Sequence, residues 1–226
     1  MNYNASLLPY DRWLKTFGEI MDVRREIDKD HDFMIENKSS QNYLTGQLLV
    51  AMPSMGDERF DKSVILVCAH DENGAMGLVL NRIMEEVDFI DLIEQLDLGV
   101  QETAQVSNIK VMKGGPVEEA RGFLLHGNDF EQSDTISVDD GYKISGSVDA
   151  LKNVLTGKGP DRMMFILGYA GWGPGQLDQE LSANAWLTTE PDSDLIFQTD
   201  PDTMWVEALN KIGIDPLKLS PLAGRA

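Results

Sequence analysis

Residues 163–175 read Met163-Met164-Phe165-Ile166-Leu167-Gly168-Tyr169-Ala170-Gly171-Trp172-Gly173-Pro174-Gly175, an apolar run that gives way to closely spaced glycines. Residues 163–169 have the length and side chains of a buried strand. Pro174 suits the first position of a helix, where its missing N–H would be unpaired anyway, and Leu177 and Leu181 continue that helix on one face. The glycine-rich piece thus falls between a strand and a helix, where backbone amides can cradle an anion. Two nucleotide signatures fail there. A P-loop needs Lys and then Ser or Thr after its second glycine, but Gly173 is followed by Pro174 and Gly175. The dinucleotide fingerprint, begun by Gly171 and Gly173, meets Gln176 where its last glycine belongs. A tight turn that packs Tyr169 and Trp172 is expected, with a ligand or partner surface as the alternative.

Upstream, residues 46–52, 63–69 and 76–80 are Val-, Ile- and Leu-rich runs separated by Pro53, Gly56, Asn73 and Gly74, which predicts three strands in quick succession. Asp88 caps a helix carrying Phe89, Leu92, Ile93 and Leu96, with Gly99 as its stop. Strands follow at 109–112 and 123–126 around the turn Gly114-Gly115-Pro116. Ser147 caps a helix with Val148, Leu151, Val154 and Leu155 on one face, closed by Gly157. Downstream, residues 195–198 read as a short strand, and Asp200-Pro201 starts a last helix with Trp205, Ala208, Leu209 and Ile212 up to Gly213. Strands and helices mix without a βαβ rhythm, which predicts an α+β fold. Residues 1–43 form an N-terminal extension: residues 14–27, with Leu14, Phe17, Ile20 and Met21, have helical spacing, and residues 28–41 are a polar linker. One domain is expected over 44–226.

The chain of 226 residues carries 38 Asp and Glu against 19 Lys and Arg, a net charge of −19. Such a field repels phosphate backbones and anionic membranes and favours cationic partners, so direct duplex DNA binding and membrane association are not expected. The adjacent pair Arg24-Arg25 is flanked by Asp22, Glu26 and Asp28. The single Cys68 gives no disulfide framework, and the N-terminus lacks a basic-then-apolar leader, so a cytoplasmic address is expected.

Candidate chemistry is sparse. His126 and Asp129 sit in a polar turn at a strand end and are either turn-bonding groups or an orienting or metal-ligating pair. Cys68 and His70 share one face of a strand and read as core thiol and strand-end imidazole. Ser107 to Lys110 matches S-x-x-K without its companion elements. Asp28, Asp30 and Asp32 imitate a calcium loop, but Phe33 and Ser39 replace its glycine and closing glutamate. No cofactor or metal is expected.

In chain order, Pro53-Ser54-Met55-Gly56-Asp57, Gly74-Ala75-Met76-Gly77-Leu78-Val79-Leu80-Asn81-Arg82, Gly114-Gly115-Pro116-Val117 and Gly168-Tyr169-Ala170-Gly171-Trp172-Gly173-Pro174-Gly175-Gln176-Leu177 resemble the AlgH/YqgE family. Leu181 and Trp186 continue the pattern. The resemblance implies a compact α+β fold with a branched, partly barrel-like sheet surrounded by helices, and it supplies no catalytic residues. Some members carry a transcriptional-regulator label. Two functions compete. The first is a non-catalytic regulatory or interaction protein with an unidentified protein partner, presenting the loops at Asn81-Arg82, 114–117 and 168–176. The second is an enzyme or small-molecule-binding protein whose site combines Arg82, His126 and Asp129. The 168–175 and 114–116 segments are expected to lie side by side.

Overall fold

The computed structural model describes residues 43–98 and 106–216. The helix and linker read over 14–41, with the Arg24-Arg25 pair and the calcium-like aspartates, lie outside the described residues. From Leu44 onward the described residues form one unit, built on a curled, half-barrel sheet with five α-helices.

The three expected strands, β1 (Leu48–Ala51), β2 (Val64–Asp71) and β3 (Gly74–Val79), form an antiparallel meander. β4 (Val111–Lys113) and β5 (Val117–His126) flank β8 (Met163–Trp172) on opposite edges, because both pair with Phe165, Ile166 and Leu167. β6 (Ile136–Ser137) and β7 (Lys143–Ser145) extend the β5 edge, and β9 (Trp186–Thr189) closes the β1 edge. The full order is β6-β7-β5-β8-β3-β2-β1-β9, with β4 as a branch on β8. β4 with β8 is the one parallel pairing among the described residues.

The branch has a local cause. At Gly168 the backbone turns left-handed, φ 73°, a conformation that L side chains resist. Before that bend β8 pairs with β4; after it, Ala170, Gly171 and Trp172 pair with Gly77, Met76 and Ala75 of β3. The glycine-rich segment is therefore strand as far as Trp172 and not the expected loop: its amides serve the ladder, and no anion cradle forms there. The following helix, α3 (Gln176–Ser182), begins after Gly175 at φ 67°, so Pro174 precedes it and does not occupy its first turn.

Helices cover the sheet where apolar faces demand it. In α1 (Phe89–Gln95) the Asp88 carboxylate accepts from Ile90 N–H, but the helix ends at Gln95 with Leu96 as its C-cap, and Asp97 follows at φ 54°, short of Gly99. In α2 (Val148–Leu155) the Ser147 hydroxyl accepts from Ala150 N–H, and the predicted apolar face is the buried one. Phe89, Ile93, Leu151 and Leu155 pack on Phe165 and Leu167 of β8. The stretch 195–198 is not a strand. Residues 195–197 lie in α4 (Ser193–Phe197), with Gln198 as its C-cap, and Asp192 caps the helix start by accepting from the N–H groups of Asp194 and Leu195. α5 (Pro201–Lys211) starts at Asp200-Pro201 as expected, and Trp205 anchors it by donating its indole N–H to Ala51 O at 2.8 Å.

Candidate functional site

Three residues, Gly114-Gly115-Pro116, join β4 to β5 across the backbone of β8. So short a link passes directly over Gly168 and Tyr169. A Cβ on Gly114 or Gly115 would sit closer than 3.0 Å to the Gly168 or Tyr169 main chain. Gly114 N–H donates to Leu167 O at 2.7 Å and its carbonyl accepts from Val79 N–H at 2.9 Å, so the crossing is tied to β8 and β3 at once. The 114–116 and 168–172 segments therefore lie side by side, and their glycines supply room for one chain to pass over another.

Beside the crossing lies a cleft of about 360 Å³, lined by Met55, Gly56, Asp57, Arg59, Phe60, Pro116, Val117, Gly171, Trp172, Gln176, Glu180 and Ala185. Glu180 of α3 organises its floor. Trp172 and Trp186 donate their indole N–H groups to Glu180 Oε2 at 2.9 and 2.8 Å, and Gln176 Nε2 donates to Oε1 at 2.8 Å. Gln176 is fixed in turn because its Oε1 accepts from Gly173 N–H at 3.1 Å. The two indoles meet edge to face at 6.2 Å, and Phe60 meets Trp186 in the same manner at 5.9 Å. At the rim Arg59 grips Asp57 with Nε and a terminal nitrogen, 2.6 Å at the closest, which holds the Asp57 carboxyl below its usual value. Gly171 leaves the cleft open: its Cβ position faces Tyr169 and Val117 at ordinary contact distances of 3.5 and 3.7 Å.

The remaining candidates are committed elsewhere. Asn81 braces the β2 start, accepting from Val64 N–H and donating to Lys62 O, both at 2.9 Å. Arg82 donates to Asp61 O at 2.8 Å and to Ser63 Oγ at 3.3 Å. Asp129 accepts from Asp161 N–H at 2.6 Å, and His126 bonds other groups. Arg82, His126 and Asp129 thus make their hydrogen bonds to different partners, while the Asp129 charge acts on the His126 imidazole. His70 Nδ1 accepts from Leu44 N–H at 3.2 Å and Cys68 donates to Leu66 O, which are structural roles.

His126 is fully buried, and its partners fix its proton. Gly127 O at 2.8 Å can only accept, so Nδ1 carries the hydrogen and Nε2 accepts from Ser145 Oγ at 3.0 Å. Ser145 in turn accepts from Thr135 Oγ1 at 2.7 Å, which accepts from Gln132 N–H. Protonating Nε2 would reverse this chain, and burial already pushes the imidazole pKa down. The unfolded group titrates near 6.5 and the folded one lower, so this contribution to stability is full above about pH 6.5 and is lost as pH falls through the folded value. Urea unfolding should therefore show lower stability at about pH 5.5 than at about pH 7.5, with the His126 ring signal titrating below 6.5. A midpoint at or above 6.5 contradicts the stabilisation assigned to the neutral, buried imidazole.

Of the predicted surface, Pro116, Gly171 and Trp172 line the cleft; Gly114, Gly115, Gly168 and Tyr169 build the crossing beside it, and Gly173 and Gly175 carry the chain into α3. The expectation omitted Arg59, Phe60, Glu180 and Ala185. Met55, Gly56 and Asp57 stood in a motif already singled out, which was their available signal. Residues 48–217 match the family described as AlgH-like. A UPF0301 protein of Rhodospirillum rubrum is 48% identical over 186 residues, covering 82% of this chain and 96% of its own. A UPF0301 protein of Nitrobacter hamburgensis is 50% identical over 194 residues, covering 82% and 89%. The solution structure of the AlgH protein from Pseudomonas aeruginosa matches with a TM-score of 0.67 at 37% identity, covering 84% of this chain and 98% of that one. With its family match over most of its length and relatives at this level of identity, the chain belongs to the AlgH-like, UPF0301 family.

Proposed function

We propose that the chain is a non-catalytic interaction domain that receives a segment of a partner protein in the cleft beside Trp172. One observation carries this reading: segments far apart in sequence, at 55–60, 116–117 and 171–185, converge on one aromatic-walled cleft. A rigid, partly apolar concavity with a few fixed polar groups is a recognition surface. Its polar groups, Asp57 with Arg59 and Glu180 with two indoles, are held in place by one another, which is what positioning a guest requires. The second reading, a small-molecule binder, draws on the cleft volume of 360 Å³, which lies at the lower end of ligand pockets.

A regulatory role would then act through another protein and not through duplex DNA. Phosphate contacts need free cations, yet Arg59, Lys113, Arg121, Lys143, Arg162 and Lys211 each lie within ion-pair distance of a carboxylate. Among the described residues no helix is long and apolar enough to cross a membrane. With the lone buried thiol of Cys68, this supports a cytoplasmic address. The docking reading is tested by replacing Gly56, a cleft residue whose Cβ position has nothing within 4 Å, with photo-reactive p-benzoylphenylalanine, and identifying what it captures in cells.

A further inference from the structure

We infer that the cleft takes the cationic side chain of a lysine or arginine in the partner protein's segment, with Glu180 as its counter-ion; this rests on the docking role proposed above. Glu180 is half-buried, and its hydrogen bonds come from three neutral donors: the Trp172 and Trp186 indoles on Oε2 and the Gln176 amide on Oε1. A carboxylate has about four lone-pair sites. One site on Oε1 therefore remains open.

Charge makes the same point. Taking a carboxylate partly out of water is costly unless a cation answers it, and among the described residues no Lys or Arg is within ion-pair distance of Glu180. Arg59 lines the same cleft, but its guanidinium is committed to Asp57 by bonds from Nε and a terminal nitrogen. The Asp57–Arg59 pair is neutral, so Glu180 leaves the cleft with one uncompensated negative charge.

The walls suit a long basic side chain. Phe60 and Trp172 offer ring surface to a cation, and Arg59 already lies over Phe60 at 5.8 Å. Met55, Val117 and Ala185 offer apolar surface to a methylene stem. The net charge of −19 raises the local concentration of basic segments. One open acceptor and one uncompensated charge fit a single cation. A polyamine would press further ammonium groups against Met55, Val117 and Ala185, which carry no charge to answer them.

The test uses capped tripeptides with central arginine, lysine, citrulline or leucine, titrated into the nitrogen-15-labelled full chain while the indole N–H signals are followed. The Trp172 and Trp186 signals should move together with the arginine and lysine peptides, and that of Trp205, bonded to Ala51 O, should stay still. Citrulline and leucine peptides should bind at least about tenfold more weakly, because they lack the charge that strengthens the hydrogen bond. Glu180→Gln keeps an oxygen for the indoles and should lose at least about tenfold in arginine affinity; Gly171→Leu, which fills the cleft from a site that accepts a Cβ, should abolish binding. Equal binding of arginine and citrulline, unchanged affinity in Glu180→Gln, or still indoles at about 20 mM peptide, far above the affinity scale of weak sites, overturns the inference. Spermidine binding more tightly than the peptides overturns the partner-protein source. Should the cationic peptides fail while the Gly56 probe still captures a protein, the cation inference alone falls; should both fail, the docking role falls with it.

Discussion

Gly115→Ala is expected to cost more than about 4 kcal/mol and to leave most of the protein unfolded, because a severe main-chain overlap has nothing flexible to give way. At Gly115, with φ 154°, the new Cβ would lie closer than 3.0 Å to the carbonyl carbon and oxygen of Tyr169 and to Ala170 N. Relief would require β8 and the 114–116 link to part. That would break the Gly114 bonds to Leu167 O and from Val79 N–H, and with them the junction of β3, β4 and β8. Gly171→Ala is the matched control: its Cβ meets Tyr169 and Val117 at 3.5 and 3.7 Å, without positive φ, and a change within about 1 kcal/mol is expected for a fitting surface substitution. Urea denaturation of both variants measures the difference. A Gly115→Ala protein as stable as Gly171→Ala would mean that the link does not cross over the strand.

Trp172→Ala is the second large effect. The ring packs with Leu49, Ile65, Val79, Leu177 and Trp186 in the core beneath the cleft, and its N–H is one of three donors to Glu180. Removing a buried indole costs about 3–5 kcal/mol from lost burial and the cavity left behind. Trp172→Phe fills much of that space while forfeiting the hydrogen bond, and should cost about 1–3 kcal/mol. Thermal or urea unfolding separates the two. Near-equal losses would assign the role of Trp172 to the hydrogen bond, and a small loss in Trp172→Ala would contradict the core placement.

The fold class was legible because its commonest signals are local. Ser147, Asp88 and Asp200 cap helices through their own side chains, and the apolar runs of β1, β2 and β3 are bounded by turn residues. Failures came where tertiary pairing overrides composition. Gly171 and Trp172 read as a turn, yet they are strand because they pair with Met76 and Ala75 of β3. Residues 195–198 have the apolar run of a strand, but Asp192 captures the amides of Asp194 and Leu195 and starts a helix. Strands β6, β7 and β9 are two to four residues long, too short for a periodicity to register.

The site was half legible for a related reason. The glycine motifs marked the place, but their chemistry is steric: they let chains cross and open a cleft, where the sequence predicted a tight turn packing Tyr169 and Trp172. Glu180 gave no signal, since a glutamate on a short helix reads as a solvated face. Its indole partners, six and eight positions away in opposite directions, meet it only after α3 folds back on β8 and β9. His126 and Asp129, three residues apart and chemically suggestive, bond Gly127 O and Asp161 N–H respectively.

The docking claim is tested most directly by photo-crosslinking from Gly56, in the cleft, against Val206, 38% exposed on α5 and outside it. The account predicts a discrete protein adduct from Gly56→p-benzoylphenylalanine, none of the same mass from Val206→p-benzoylphenylalanine, and loss of the adduct when Gly171→Leu is added. Equal adducts from both positions, or a Gly56 adduct that survives Gly171→Leu, would contradict it.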